Sequence, residues 1–250
     1  MLSLYPTEIP KYKEKEHMPE PREEIQSKFD FDIGKVIVAL DKMSIGKAND
    51  LISNYYKDVY GFKVNHLLYG YVRKYRRNIF VDYKLHDIPN TMNLVVERAI
   101  KQKASMITVH MSNSESAFKQ LSKYSGHIKL LGVTALTSLS DDDCKAIYNK
   151  SLEEAFERSI DLMIKNEFWG AICSPQDLKY FSHAKHLKKI CPGIQINPMN
   201  NDQVRTATPQ EAFDNGADYL VMGRAFFIMG QSDMEPIITP TLGTLSMLLF

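Results

Sequence analysis

The segment from residue 80 to residue 91 contains the side chains of this chain that are best suited to chemistry. Asp82 and Lys84 are two residues apart and follow an apolar run, and Asp87 lies three residues further on. Side chains alternate along a β-strand, so we expect Asp82 and Lys84 to point to the same side. A lone buried carboxylate or ammonium is very costly, so these groups must pair or find further partners. An ammonium held among acids is a candidate for charge stabilisation and proton transfer.

A second lysine, Lys63, lies in the preceding predicted strand, so two lysines and two acids would meet at adjacent strand ends. The pair Asp82 and Lys84 could also be a structural salt bridge, because structural ion pairs perturb charged groups as well. Spacing alone supports the two interpretations about equally. The convergence of four charged groups favours the functional one, because surface charges need no such convergence.

The elements that must position these residues alternate regularly from residue 36 onward. Short β-branched or apolar runs alternate with longer amphipathic segments, which predicts alternating strands and helices. The predicted strands cover residues 36–40, 62–64, 79–81, 106–109, 129–133, 170–173, 194–196 and 219–222. The predicted helices include residues 45–57, 91–103, 114–124, 152–166 and 209–215. The last helix has a strong start, because Thr208 can cap it, Pro209 suits its first turn, and Glu211 lies near the positive end of its dipole.

This alternation predicts an α/β protein with a closed (β/α)8 TIM barrel over residues 35–250, preceded by a short N-terminal extension over residues 1–34. An open doubly wound sheet is the alternative, but the sequence contains neither of the glycine-rich phosphate signatures, GxGxxG and GxxxxGK(S/T), that usually accompany it. Several polar residues fall at or just past the ends of predicted strands, where a barrel places its active site. They are Asp41, Asp82, Lys84, His110, Ser174 and Arg224.

Composition narrows the class of protein. The chain has 250 residues, 44% of them hydrophobic, and a formal net charge of +1, so no global field attracts nucleic acid or a membrane. Its three cysteines, Cys144, Cys173 and Cys191, have no CxxC spacing, which predicts reduced thiols and a cytoplasmic location. No apolar run reaches membrane-spanning length, and the charged N-terminus is not typical of a signal peptide. His86 and His110 lack the spacing of a metal site, so we expect a hydrogen-bonded polar role for them.

The run from Asp82 to Thr91, read as D-x-K-x-x-D-I-P-N-T, resembles the signature of the orotidine 5′-phosphate decarboxylase family. Further segments resemble other parts of that family, in order and at compatible spacing, over about residues 35 to 228. These segments are 36–41, 62–64, 108–110, 133–138, 170–174, 192–194, 202–203, 208–209 and 216–224.

The resemblance implies a charged array around the reacting bond. It makes Lys84 the proton donor and places Asp82 beside the substrate carboxylate, with Lys63 and Asp87 completing the array. It also implies a homodimer in which Asp87 and Thr91 help to complete the site of the partner subunit.

The resemblance also implies a set of substrate-binding residues. They are Asp41 and Lys63 for the ribose hydroxyls, Thr137 and Ser138 for the pyrimidine, Gln203 for a loop that closes on the phosphate, and Gly223 and Arg224 for the phosphate itself. The last two would act through a backbone amide and a guanidinium.

The implied activity is decarboxylation of orotidine 5′-monophosphate to uridine 5′-monophosphate and CO₂, a step of pyrimidine synthesis, without metal or organic cofactor. Loss of CO₂ leaves negative charge on a ring carbon that delocalises it poorly, and Lys84 would stabilise that charge and then protonate the carbon. Because two carboxylates flank Lys84, we expect it to stay protonated. Binding energy from the distant phosphate can drive closure of the site.

The sequence departs from the family pattern at two positions near the expected phosphate site. Gln195 stands where many bacterial relatives have an arginine, and Ala225 follows Arg224 where proline or serine is usual, so we expect a weaker or differently arranged phosphate site. Two alternatives remain open. A magnesium-dependent sugar-phosphate decarboxylase or synthase on the same barrel would be inactivated by EDTA, and a non-catalytic nucleotide-binding barrel would bind nucleotide without releasing CO₂.

Overall fold

A computed structural model of the chain describes residues 29–41, 43–65, 78–135, 139–195 and 206–229. In these residues eight parallel strands form a closed barrel, each paired with its sequence neighbours and the last with the first. The strands are β1 (Val36–Ala39), β2 (Gly61–Val64), β3 (Asn78–Leu85), β4 (Met106–His110), β5 (Lys129–Val133), β6 (Gly170–Ile172), β7 (Lys188–Cys191) and β8 (Tyr219–Met222). The barrel predicted from the alternation of elements is confirmed.

Helices follow the strands and cover the barrel. They are α1 (Ile45–Tyr55), α2 (Pro89–Lys101), α3 (Glu115–Leu121), α4 (Asp141–Tyr148), α5 (Leu152–Lys165), α6 (Pro209–Asp214) and α7 (Arg224–Met229), with 3₁₀ turns at Ile33–Lys35, Ser122–Tyr124 and Pro175–Phe181. The predicted start of α6 is confirmed. The Thr208 hydroxyl accepts the N–H of Glu211 at 3.2 Å, and the Glu211 carboxylate accepts the N–H of Thr208 at 2.8 Å, which satisfies two exposed donors of the first turn.

The barrel interior is filled by side chains, so polar groups can gather only at its two ends. An apolar layer crosses the interior and consists of Ile37, Phe80, Met106, Leu131, Ile190 and Val221. A second and larger core lies between the strands and the helices. We call the end where the strands finish the mouth and the end where they begin the floor. Active sites of this architecture lie at the mouth.

The predicted seventh strand, residues 194–196, is wrong. The seventh strand is β7, Lys188–Cys191, and Ile194 makes only an isolated parallel bridge to Ala207. The error has a physical reason. Two of the four residues of β7 are lysines, Lys188 and Lys189, so the segment lacks the apolar pattern by which strands are predicted. Asp218, next to β8, pairs with both ammonium groups and makes the strand possible.

The N-terminal residues that the structure describes pack on the barrel. Phe29 stacks on Phe226 with ring centroids 5.2 Å apart, Phe31 lies 6.3 Å from the ring of Phe213, and Ile33 is buried with them. Residues 1–28 of the predicted extension and the tail from residue 230 lie outside the described residues. In the described ranges, none of the helices combines the length and the apolar character needed to cross a lipid bilayer.

Candidate active site

Four charged side chains from three neighbouring strands meet at the mouth. The Lys63 ammonium on β2 donates to the carboxylates of Asp41, which follows β1, and of Asp82 on β3, the latter at 3.2 Å. The Lys84 ammonium, also on β3, lies 2.8 Å from the same oxygen of Asp82. We call Asp41, Lys63, Asp82 and Lys84 the mouth network. The predicted meeting of two lysines and two acids therefore occurs, but the second acid is Asp41 and not Asp87.

An irregularity of β3 brings Asp82 and Lys84 to the same place. Val81 pairs with Ile107 and Leu85 with Val109, so the three residues 82–84 lie opposite Thr108 alone. Lys84 has a φ of 46°, which is rare for a residue with a side chain. The two side chains meet because the strand bulges here, and simple alternation along a regular strand is not the reason.

Thr108 holds this bulge. Its buried hydroxyl donates to Asp82 Oδ1 at 3.0 Å and accepts the backbone N–H of Lys84 at 2.8 Å. A non-glycine residue in the left-handed region costs about 1–3 kcal/mol and persists only where its surroundings hold it. Thr108 was not among the predicted site residues. The signal for it was a hydroxyl at an interior position of β4, two residues before His110.

The charges of the mouth network stabilise one another against burial. Burial disfavours the charged form of Lys63, but Asp82 and Asp41 outweigh it, so the pKa of Lys63 is raised above 10.5. Burial likewise disfavours the charged form of Asp82, but Lys63 and Lys84 outweigh it, and hydrogen bonds from Lys84 and Thr108 add to their effect. The pKa of Asp82 is therefore lowered below 3.8.

Exposure distinguishes the two lysines. The side chains of Lys63 and Asp82 are 13% and 14% exposed, whereas that of Lys84 is 45% exposed. Lys63 thus lies deeper, among its acids, and Lys84 reaches the open side of the mouth with its ammonium fixed on one side by Asp82. Such a group can stabilise negative charge on a bound molecule and transfer a proton to it.

Asp87 and Thr91 lie beside the mouth but outside its network. Asp87 is exposed, and its carboxylate accepts the N–H of the next residue, Ile88, at 2.7 Å. Thr91 is half-buried in the first turn of α2. The ion pairs of the network in one chain do not include Asp87, so its predicted role across a dimer stays a prediction.

The predicted phosphate residues lie next to β1. Gly223 directly follows β8, and a Cβ built on it would lie 3.8 Å from that of Ala39 on β1. Arg224 begins α7 and is exposed. Thr137, Ser138 and Gln203 lie outside the described residues, so their roles also stay predictions.

Comparisons with known proteins agree with this fold. A family model described as "Orotidine 5'-phosphate decarboxylase / HUMPS family" matches residues 34–233. A curated orotidine 5′-phosphate decarboxylase of Idiomarina loihiensis is 32% identical over 209 residues, which cover 76% of this chain and 89% of that protein. The curated orotidine 5′-phosphate decarboxylase of Wolbachia pipientis is 40% identical over 153 residues, and that match covers 58% of this chain and 67% of the relative.

Solved structures agree as well. The crystal structure of orotidine 5′-phosphate decarboxylase from Lactobacillus acidophilus superposes with a TM-score of 0.66 at 28% identity, covering 79% of this chain and 92% of that one. The enzyme from Pyrococcus horikoshii has a TM-score of 0.61 at 20% identity, over 77% of this chain and 91% of its own, and supports the fold alone.

Proposed function

The chain belongs to the orotidine 5′-phosphate decarboxylase / HUMPS family, and from this premise we propose that it converts orotidine 5′-monophosphate to uridine 5′-monophosphate and CO₂. One observation carries the assignment of roles. At the mouth the half-exposed ammonium of Lys84 is fixed 2.8 Å from the more deeply buried carboxylate of Asp82. This would place a proton donor beside the carboxylate that we expect to face the departing CO₂.

Lys84 is the catalytic acid of the proposed mechanism. As the bond to CO₂ breaks, its electron pair stays on the ring carbon, and the positive charge of Lys84 stabilises it. The same ammonium then gives its proton to that carbon, and uridine 5′-monophosphate results. The bulge at Lys84 supports this role, because a strained backbone held by its surroundings is typical of functional sites.

Asp82 and Lys63 prepare the site for this step. Asp82 is ionised because its pKa is lowered, so it keeps Lys84 charged and in place. In the bound state it would also face the substrate carboxylate, and repulsion between the two negative charges raises the energy of the substrate before CO₂ leaves. Lys63 offsets the charge of Asp82 on the other side, and with Asp41 it would contact the ribose hydroxyls.

The reaction we propose needs no metal or organic cofactor. The ammonium of Lys63 already bridges Asp41 and Asp82, the two acids that a cation at the base of the mouth would have to share. The test is an ultraviolet assay with orotidine 5′-monophosphate, with and without EDTA. We expect CO₂ release that EDTA leaves unchanged. Loss of activity with EDTA would favour the magnesium-dependent alternative, and nucleotide binding without CO₂ release would favour a non-catalytic barrel.

The phosphate end of the substrate is assigned to Gly223 and Arg224, with Gln203 in a closing loop. Both described residues follow β8, which pairs with β1 and therefore lies beside Asp41. Arg224→Ala should weaken binding of uridine 5′-monophosphate and change the affinity for uridine little. Equal affinity of wild type and variant for the nucleotide would remove this assignment.

We also propose a homodimer with shared sites. Ile88, directly before α2, and Leu94, on α2, are exposed large apolar residues at 65% and 60% exposure. They are close in sequence to Asp87 and Thr91, which supports an interface in this part of the chain. Mixing Lys84→Ala and Asp87→Ala subunits should restore about a quarter of wild-type activity, since half of the dimers are mixed and have one complete site. No recovery after proven subunit exchange would contradict the shared site. The three free, buried cysteines agree with a reducing, cytoplasmic setting.

A further inference from the structure

A pair of histidines stands above the mouth network and has no role in the mechanism given so far. His110 ends β4 two residues after Thr108, so its side chain faces the mouth as that of Thr108 does. Its ring centroid lies 5.6 Å from that of His86. Ser112 lies between the two rings, with its hydroxyl 2.7 Å from His110 Nδ1 and 3.5 Å from His86 Nε2.

The contacts of Ser112 determine which nitrogen of His110 carries the proton. The backbone N–H of Ser112 points at His110 Nδ1 from 3.3 Å. A backbone N–H can only donate, so Nδ1 must be an acceptor, and the proton of the neutral ring lies on Nε2. The Ser112 hydroxyl can donate to the same Nδ1. His110 therefore offers one hydrogen-bond donor, the Nε2–H.

The surroundings keep this imidazole neutral. Burial lowers the pKa of His110 below 6.5, and the neighbouring His86 and Lys84 lower it further. His110 also lines a cavity of about 140 Å³ whose other lining residues include Tyr148, Lys150 and Arg158. Among the described residues, no aspartate or glutamate lines that cavity. A neutral donor is therefore available at neutral pH.

The Nε2–H has no acceptor in the described part of the chain, where the hydrogen bonds of His110 all involve Nδ1 or its backbone. Its position on the barrel indicates what could accept it. The proposed phosphate residues follow β8, the ribose residues lie on β1 and β2, and the catalytic lysine is on β3. A substrate laid out in this order places the polar edge of its base against β4, which carries His110.

We infer that His110 binds the nucleotide by donating a hydrogen bond from Nε2 to a carbonyl oxygen of the pyrimidine ring, and that Ser112 is a positioning residue that fixes the tautomer. This inference rests on the proposed function. A neutral donor suits a neutral carbonyl oxygen, and a site built to pair with such an oxygen discriminates against rings that lack it.

Nitrogen-15 NMR of histidine-labelled full-length protein tests the inference directly, with uridine 5′-monophosphate as the probe. At pH 7.5 we expect the free protein to show His110 protonated on Nε2 alone. Saturating nucleotide should shift the Nε2 resonance and slow the exchange of its proton. A proton on Nδ1, a charged ring, or an unchanged Nε2 signal in the nucleotide-bound protein would each overturn the inference.

Kinetics of matched variants provide the second test. His110→Phe keeps a ring but no donor, and we expect KM for orotidine 5′-monophosphate to rise about 10- to 100-fold, as for loss of a hydrogen bond to a desolvated acceptor. His110→Gln carries an amide donor at similar reach and should recover most of the loss. Ser112→Ala keeps the backbone N–H that faces Nδ1 and removes only the hydroxyl contact, so KM should rise by no more than about threefold.

The control is His127→Phe, at an exposed histidine that precedes β5 on the floor side, and its KM should equal that of wild type. Wild-type KM in His110→Phe would overturn the inference, and so would equal losses in His110→Phe and His110→Gln with lowered melting temperatures, which would indicate a structural role. Absence of CO₂ release by the wild type would instead contradict the proposed function, so the two failures are distinguishable.

Discussion

Two carboxylates of this barrel each lie between two lysines, one at the mouth and one at the floor. Asp82 is 3.2 Å from Lys63 and 2.8 Å from Lys84. Asp218, directly before β8, is 3.0 Å from Lys188 and 2.9 Å from Lys189. Burial opposes ionisation of both carboxyls, and in both cases their partners outweigh it and lower the pKa. Ion pairing and pKa alone therefore do not distinguish the site of chemistry from a structural cluster.

The backbone does distinguish them. Asp218 accepts the N–H of Lys189 at 2.9 Å and its own N–H donates to the carbonyl of Lys189, so it fixes the pairing of β7 with β8. The partners of Asp82 in the described residues are side chains from β2, β3 and β4, gathered at a bulge where Lys84 has a positive φ. One carboxylate supports regular strand pairing, whereas the other lies at a backbone irregularity of the kind that is typical of functional sites.

The floor is also closed by aromatic rings. The Lys129 ammonium lies 4.5 Å from the ring of Trp169 and donates to the Tyr60 hydroxyl at 2.6 Å. Tyr219 packs on Tyr60 with ring centroids 4.2 Å apart. A cation covered by aromatic faces contributes to stability and is poorly placed to meet a substrate. The mouth has no comparable aromatic cover over Lys84 among the described residues.

The largest expected difference between the mouth and the floor is the loss of kcat/KM when a lysine is replaced. Lys84 and Lys188 are 45% and 44% exposed and pair with their aspartates at 2.8 and 3.0 Å, so they are matched in exposure and in ion pairing. Lys84→Met should lower kcat/KM for orotidine 5′-monophosphate by at least about a thousandfold, because it removes both the charge and the proton donor. Lys188→Met should change it by less than about twofold.

Melting temperatures check that both variants are folded. Each variant removes a half-exposed lysine from an aspartate that keeps its second lysine, so both should melt within about 3 °C of wild type. Substantial turnover by folded Lys84→Met would contradict the mechanism. A comparable loss in Lys188→Met would show that the two ends are coupled, and the contrast between mouth and floor would then be wrong.

The next largest difference is expected when the aspartate at each end is replaced by asparagine. Asp82→Asn should lower kcat/KM about 100-fold or more, because Lys84 loses the charge that fixes it, while Lys63 keeps Asp41 as a partner. Asp218→Asn should leave turnover at 25 °C within about twofold and lower the free energy of unfolding by about 1–2 kcal/mol, since it weakens a charge-assisted hydrogen bond to the backbone. Steady-state kinetics and urea unfolding measure the two quantities. Loss of turnover in Asp218→Asn, with unchanged turnover in Asp82→Asn, would show that the catalytic and structural roles are assigned to the wrong ends.

This contrast also explains how much of the molecule was predictable from sequence. Alternating periodicity is a local property, and it predicted the barrel and seven of its strands at nearly the right place. The seventh failed because Lys188 and Lys189 have the composition of a loop, and only the distant Asp218 makes them tolerable in a strand. Long-range compensation of this kind is invisible in a window of residues.

The site was also predictable only in part: its charged residues could be predicted, but the backbone that brings them together could not. The spacing of Asp82, Lys84 and Lys63 was enough to predict that these three meet, but the second acid was expected to be Asp87 and is Asp41. The bulge and its support by Thr108 were not, because they depend on the register between β3 and β4. The proposed roles of Asp87 and Thr91 would involve a second chain, and a pattern within one chain does not derive such roles.

The contribution of Asp218 should also depend on pH in a predictable way. Its pKa is lower in the folded protein than its ordinary 3.8, so its stabilising effect is complete above pH 3.8 and is lost as pH falls through the lowered pKa. The gap in unfolding free energy between wild type and Asp218→Asn should therefore be constant from pH 7 to about pH 4 and shrink below it. Urea unfolding across this range measures it. A gap that changes mainly between pH 5 and 7 would point to a histidine and not to Asp218.

The smallest expected effect on turnover is that of Tyr60→Phe, which tests whether the raised pKa of Tyr219 matters for function. Burial, together with the hydrogen bond and charge of Tyr60, raises the pKa of Tyr219 to about 12. The fold therefore favours the neutral phenol, and this contribution is present below pH 10 and lost as pH rises through about 12. Tyr60→Phe should move the pKa of Tyr219 back toward 10, as carbon-13 NMR of labelled tyrosine can measure, and should leave kcat/KM within about twofold of wild type. An unmoved pKa would assign the whole shift to burial. A moved pKa with unchanged turnover would show that a large shift on the floor of the barrel reports packing alone, whereas a loss of turnover would mean that the aromatic floor also supports the charged mouth.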